Sequence, residues 1–481
     1  MLFNSSLFLF LFLPIVLVVS FVAPKKWKNF VLLIASLLFY AWGGVSMTVI
    51  ILFSILFNYF IGRLIEANKE NRSAKFYLII GLIINLGILA TFKYLGFLIE
   101  NLNSLLTAFS FSQVKQLSIA LTIGISFFTF HNISYITDVY RQRVIAQKNI
   151  INHSLYITLF PQLIAGPIVR YSDISEQIKE RAVTIQKFSL GIERFIIGLA
   201  KKMLIANTFA LVADDIFAQG SSELTTLTAW LGLLSYTIQI YYDFAGYSDM
   251  AIGLGKMFGF EFLENFNFPY IATSIQDFWR RWHISLSSWF RDYLYISLGG
   301  NRCSKRKVLF NLFIVFLCTG FWHGASWSFI VWGLFHGLFI ILEKAGFDKI
   351  LIKTGKPLRH VYVLLVVMIA WVFFRSTNID YAFMFIKKLF GDANNVQQWG
   401  KLIFYFNNEF IICLMVAVLG AAGVFQMIHS TIISKIIVKP NLGSLRTIYD
   451  GLSIVVLMSL FVLSIVYITI GSYSPFIYFR F

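Results

Sequence analysis

Apolar runs long enough to cross a bilayer follow one another along almost the whole chain, separated by short polar joints. A spanning helix needs about 20 consecutive apolar residues. Stretches of that kind lie near 7–23, 29–46, 47–62, 75–99, 115–136, 154–170, 188–212, 226–258, 308–342, 360–374, 409–430 and 450–471. Pro161 and Pro167 fall inside one of them and the glycines at 253, 255 and 259 fall in or beside another; both runs are expected to break into shorter or re-entrant pieces. The pattern predicts an all-α polytopic membrane protein of roughly 10–13 transmembrane or re-entrant helices. Neither an internal repeat nor a polar tract large enough to fold alone interrupts it, so 1–481 reads as a single integral membrane domain.

The longest relatively polar tract, 261–307, has a pattern of its own. Trp279, Trp282, His283, Leu286, Trp289, Phe290 and Tyr293 recur at helical spacing, with Arg280, Arg281, Ser285, Ser288 and Arg291 on other faces. This predicts an amphipathic helix in the interface plane, its tryptophans toward the acyl chains and its arginines toward water. Arg302, Lys305, Arg306 and Lys307 then mark the cytoplasmic side.

Composition sharpens the membrane reading. With 58% hydrophobic and 13% charged residues and a mean hydropathy of +0.75, a water-soluble domain is excluded, since it would expose large apolar patches. The net charge of +17 reads first as basic cytoplasmic loops facing anionic lipid heads, and more sharply as a field that gathers an acidic, phosphate-bearing cofactor. Nucleic acid is not expected as a partner. Lys25, Lys26 and Lys28 follow the first apolar run and no basic residue precedes it, which predicts a retained helix with its N-terminus outside. Lys435, Lys439 and Arg446 before the last run put the C-terminus outside as well. Cys303, Cys318 and Cys413 have no paired spacing, so neither a disulfide framework nor a metal site is expected.

Against this background the polar residues inside apolar runs stand out. His323 lies between Val308 and Leu342, a stretch with no Asp, Glu, Lys or Arg, and an intramembrane ionisable residue is a functional candidate. Gly320 and Gly324 flank it and leave room for a ligand or another backbone. His283 on the preceding polar helix is a second candidate. Asp243 and Asp249 read as structural orienting groups, Lys93, Lys201 and Lys202 as snorkelling stems, and His131 and His336 as structural. G-x-S-x-G, H-E-x-x-H, P-loop and dinucleotide-binding signatures are missing, so any chemistry falls to histidine in a membrane cavity.

Four blocks, LFPQLIAGPIVRY (159–171), YYDFAGYSDMAIGLGKMFGF (241–260), FWRRWHISLSSWFRDYLYISLGGNR (278–302) and GFWHGASWSFIVWGLFHG (320–337), resemble the shared blocks of membrane-bound O-acyltransferases. Within that family they are most similar to bacterial alginate and peptidoglycan O-acetyltransferase membrane subunits. The resemblance implies a horseshoe-like ring of helices around a catalytic cavity, with His323 as the central catalytic histidine and His283 at the second position. It also implies acetyl-CoA as cytoplasmic acyl donor, with Trp279, Arg280, Trp282 and Trp322 at its entrance. His323 would serve as general base, and His283 would polarise or orient the thioester. The acetyl group would leave for a cell-envelope polysaccharide through an extracytoplasmic esterase-like partner.

The final segment, GSYSPFIYFRF, reads as an aromatic interfacial anchor. It is also similar to the aromatic terminus of the helper protein in teichoic-acid D-alanylation, which by analogy makes Tyr478 an outside-facing acyl relay. Two rival readings remain at this point: transfer of another acyl group such as D-alanyl, and ion-coupled transport through glycine- and proline-broken spans carrying Asp243 and Asp249.

Overall fold

The structure is a computed structural model that describes residues 1–116, 123–391, 402–438 and 443–471. Among these residues all regular structure is helical. The helices are α1 (Phe8–Val22), α2 (Lys28–Ala41), α3 (Val45–Ala67), α4 (Ser73–Ala108), α5 (Ile125–Tyr140), α6 (Ile150–Thr158), α7 (Tyr171–Lys179), α8 (Ile185–Phe217) and α9 (Thr226–Met257). They continue as α10 (Ile275–Arg281), α11 (Ile284–Trp289), α12 (Lys305–His323), α13 (Trp327–Lys353), α14 (Lys356–Arg375), α15 (Ile379–Phe390), α16 (Asn408–Ala421), α17 (Val424–Val438) and α18 (Gly443–Thr469).

Six helices among the described residues are long and apolar enough to cross a membrane, or seven if the pair α16–α17, bent by 61°, counts as one broken span. The chain is thus an all-α multi-pass membrane protein. Several of the remaining apolar runs are apolar because they are enclosed by protein. Of the sixteen residues of α5, fourteen are buried. Hydropathy records burial in protein and burial in lipid alike, which is why it yields more candidate spans than the helices supply.

Run 154–170 breaks as expected at its prolines. It becomes the end of α6, a single turn at Phe160–Leu163 and an irregular stretch leading to α7. Irregular backbone survives away from water only where protein satisfies it. Here the Phe160 N–H donates to Ser36 Oγ (3.1 Å), Gln162 Nε2 to the Tyr156 carbonyl (2.5 Å), Tyr156 Oη–H to the Val169 carbonyl (3.2 Å) and the Ile168 N–H to Ser285 Oγ (2.9 Å).

Run 226–258 differs from expectation, because the glycines at 253 and 255 leave α9 unbroken. Their neighbours show why small residues stand there. A Cβ on Gly253 would come within 2.6 Å of the Gly191 carbonyl, and one on Gly246 within 2.7 Å of the Gly198 carbonyl, so antiparallel α8 and α9 touch backbone to backbone. The same surface holds Asp249 against Lys201 and Arg194 and Asp243 against Lys202, each at 2.6 Å.

The tract 261–307 also differs. Instead of one interfacial helix it forms α10 and α11, parted at His283, whose φ of +43° lies in the left-handed region. Trp279, Trp282 and Trp289 face protein rather than acyl chains, at 7%, 3% and 6% exposure. The aromatic pattern was real, but tertiary contacts occupy the face that lipid was expected to cover.

Two apolar cores result. One gathers α1–α7 with the second half of α9; the other gathers the end of α8, the first half of α9, α10 and α13–α16. Phe244 belongs to one and Trp322 to the other, so the segments around 283 and 323 lie on the seam.

Candidate active site

His323 is the last residue of α12. The chain turns through Gly324, Ala325 and Ser326 and returns as α13, antiparallel to α12. Of the two uses foreseen for the flanking glycines, the structure shows the close approach of protein. A Cβ on Gly320 would lie 2.6 Å from the Phe329 carbonyl, and one on Gly324 would lie 2.3 Å from the Phe329 ring. The imidazole is 6% exposed and is held edge-on by Trp322, Trp332 and Phe374, with ring centroids 4.9, 4.8 and 5.0 Å away. Among the described residues its Nδ1 has no hydrogen-bond partner.

A helix end leaves carbonyls without intrahelical partners and carries partial negative charge. At the end of α12 these carbonyls are met by Lys93. Its Nζ donates to the carbonyls of Trp322 (2.7 Å) and His323 (3.3 Å) and to Ser126 Oγ (3.2 Å), while Tyr94 Oη–H donates to the Phe321 carbonyl (2.5 Å). Both residues belong to a π turn, Ala90–Tyr94, inside α4. Lys93 is therefore a cap for the helix that carries His323, not a snorkelling stem. Lys201 and Lys202 are corrected likewise: both are ion-pair partners.

His283 is fully buried at the break between α10 and α11. A non-glycine residue in the left-handed region costs about 1–3 kcal/mol, so the surroundings must hold it there. Its Nδ1 is 3.0 Å from Asn265 Oδ1, and its ring lies edge-on to Phe244 at 4.6 Å. The Trp322 ring is 5.9 Å from His283 and 4.9 Å from His323, so a single indole lies against both histidines.

Trp322 therefore sits within the site. Trp279 lies against Phe316 and Trp332 and donates its Nε1–H to His336 Nδ1 (3.4 Å); Trp282 packs on Phe278, Phe266 and Trp371. Arg280 is exposed. Tyr478 lies outside the described residues. His131 and His336 are fully buried, and Asp243 and Asp249 are structural through ion pairs with Lys202, Lys201 and Arg194, where hydrogen bonds to backbone or tyrosine are expected of them. Among the described residues no group of three or more His, Cys, Asp or Glu is placed to hold a metal ion. An apolar groove of about 640 Å³, lined by residues such as Leu227, Trp230, Met368 and Phe406, contains none of these histidines.

Sequence reasoning missed Lys93, Asn265 and Ser285. Lys93 did carry a signal, a lone cation within an apolar run; Asn265 and Ser285 are ordinary residues of a polar tract and carried none.

The arrangement offers two imidazoles against one shared indole in a buried, aromatic setting, suited to moving a proton during acyl transfer. Residues 128–379, which include both histidines, match the family model described as MBOAT, membrane-bound O-acyltransferase family. A probable alginate O-acetylase AlgI of Azotobacter vinelandii is 46% identical over 81% of this chain and 78% of its own length. A protein of the same name from Pseudomonas putida is 40% identical over the full length of both chains. The peptidoglycan O-acetyltransferase of Helicobacter pylori is 39% identical over 81% of this chain and 80% of its own. The chain belongs to the membrane-bound O-acyltransferase family and is an O-acyltransferase.

Proposed function

We propose that this protein takes acetyl from acetyl-CoA at the cytoplasmic face and passes it across the membrane for O-acetylation of a cell-envelope polysaccharide, peptidoglycan or an alginate-like polymer. The observation that carries the reading is the pairing of His323 and His283 about Trp322 on the seam between the two cores. The names of the similar proteins, alginate O-acetylase and peptidoglycan O-acetyltransferase, support acetyl as the group and an envelope glycan as the acceptor.

In this reading His323 draws the proton from an acceptor hydroxyl as its oxygen bonds to the acetyl carbon. The carbon–sulfur bond breaks, and the proton returns to the departing CoA thiolate. Burial among Trp332 and Phe374 favours a neutral ring able to take that proton. The first hydroxyl is that of Tyr478, and an extracytoplasmic esterase-like transferase carries the acetyl onward to the polymer. Both termini lie outside, and the basic residues from Arg302 to Lys307 face the cytoplasm.

The test is base-labile, ester-linked acetate, measured separately on wall peptidoglycan and exported polysaccharide. Cells with the protein, without it, and with His323→Ala at matched membrane levels are compared. Acetate is expected to vanish from one fraction in both altered strains. Acetate lost in the deletion but kept by His323→Ala overturns the catalytic assignment; no change in either overturns acetyl transfer. Retained transfer by Tyr478→Phe removes the relay alone.

A further inference from the structure

A backbone N–H can only donate, and two such groups fix the direction of a hydrogen-bond chain that ends on His283. The Ile168 N–H, on the irregular stretch before α7, donates to Ser285 Oγ over 2.9 Å. That oxygen is an acceptor there, and its own proton goes on to Asn265 Oδ1, 2.9 Å away. The Ser285 N–H donates to the same Asn265 atom at 3.2 Å, which identifies that atom as the carboxamide oxygen rather than the nitrogen. His283 Nδ1 lies 3.0 Å from this oxygen. A carboxamide oxygen carries no proton, so Nδ1 must supply one, and the neutral ring keeps its lone pair at Nε2. Asn265, His283 and Ser285 are at most 1% exposed, and among the described residues Nε2 has no hydrogen-bond partner. His336 is set the opposite way: the Trp279 Nε1–H donates to its Nδ1, which leaves the proton of that ring on Nε2.

We propose that Asn265, backed by Ser285, is a positioning residue that holds His283 in the Nδ1–H tautomer and so presents Nε2 to the substrate as a hydrogen-bond acceptor. The proposal rests on acyl transfer at His323 and His283. It also narrows the role of His283. Polarising a thioester carbonyl requires a donor, which a neutral ring held this way lacks at Nε2; the ring instead orients an O–H or N–H of the substrate. That donor is either the attacking hydroxyl or an amide N–H on the arm of the acyl carrier.

The experiment follows CoA release from acetyl-CoA by inverted membrane vesicles from cells that carry the whole envelope-acetylation system. Full-length Asn265→Ala, Asn265→Asp, His283→Ala, Asn265→Ala/His283→Ala and His323→Ala are compared at matched membrane levels. Asn265→Ala is expected to lower kcat/KM by about 10–100-fold, the range seen when the outer-shell partner that orients a metal-bound histidine is removed. A fall in kcat alone identifies the attacking hydroxyl as the group held by Nε2, and a rise in the acetyl-CoA KM identifies the carrier's arm; either supports the proposal. In the His283→Ala background the same substitution is expected to add no further loss, because Asn265 acts through that ring. Asn265→Asp keeps the accepting oxygen. It is expected to retain turnover with the acid limb of its pH–rate profile moved upward, since a carboxylate stabilises the imidazolium.

Losses that multiply in the double variant overturn the proposal. So does an Asn265→Asp protein as impaired as Asn265→Ala with an unmoved profile, and this arm remains decisive if Asn265→Ala does not fold. Native CoA release by both His323→Ala and His283→Ala is a different failure: acyl transfer at this site falls, and the positioning role falls with it.

Discussion

Lys93 shows how much a single side chain contributes to holding the site. One ammonium serves the Trp322 and His323 carbonyls and Ser126, and it lies 5.9 Å from the centroid of the Trp322 ring. Hydrogen bonds to a charged group contribute about 1.5–3 kcal/mol each. Lys93→Met is therefore expected to loosen the end of α12 and lower envelope acetylation by at least about tenfold, while Lys93→Arg, which keeps the cation and its donors, restores part of it. Ester-linked acetate at matched membrane levels is the readout; native acetate in Lys93→Met shows that the cap does not matter for catalysis. The lysine was visible in the sequence as an anomaly, but its meaning was not. Its partners lie 229 and 230 positions further along the chain, and spacing carries no information about contacts at that separation. His323 was legible for the opposite reason, because an ionisable ring in an uncharged run is conspicuous whatever it touches.

At the scale of elements, the α8–α9 pair rests on glycines facing glycines. Gly198→Leu would force a side chain into the space where a Cβ already meets the Gly246 carbonyl at 2.5 Å. Overpacking of this kind typically costs about 1–3 kcal/mol. A lower Tm in detergent and a lower membrane level are expected, and an unchanged Tm shows that α8 can move aside. The segment after α11 gives a pH-dependent counterpart. Burial pulls the Asp292 carboxyl upward, but the hydrogen bond from Arg291 and the charges of Arg170 and Arg291 more than offset this and hold it below its ordinary 3.8. Arg170 sits 2.8 Å away and Arg291 2.7 Å away. A depressed carboxyl contributes stability that is present above its unfolded value and is lost as pH falls through the folded one. Thermal stability is expected to decline in acid below the ordinary carboxylate range, with a shallower decline in Asp292→Asn; identical acid profiles for the two proteins contradict this role.

At the scale of the whole molecule, the basic residues between apolar runs predict which loops face inward. With Cys303, Cys318 and Cys413 replaced, Lys69→Cys and Lys305→Cys are expected to resist a membrane-impermeant maleimide in intact cells, whereas Ser112→Cys reacts. The reverse pattern inverts the topology and overturns the proposed cytoplasmic entry of the acyl donor. Sequence by itself determined that the chain is helical and membrane-embedded, that His323 is out of place in its run, and, through four local blocks, which family it resembles. These are properties of composition, periodicity and neighbouring residues, which survive without coordinates. Tertiary structure decided the rest. It folded 308–342 into a hairpin with His323 at its end, turned an expected interfacial tryptophan face into core, and kept α9 continuous through glycines that let α8 pack on it backbone to backbone. It also set Asn265 on His283 and Lys93 on the end of α12. Apolar residues have the same signature whether they meet lipid or protein, and a polar residue's partner is chosen by packing between distant segments. Only the folded chain brings those segments together.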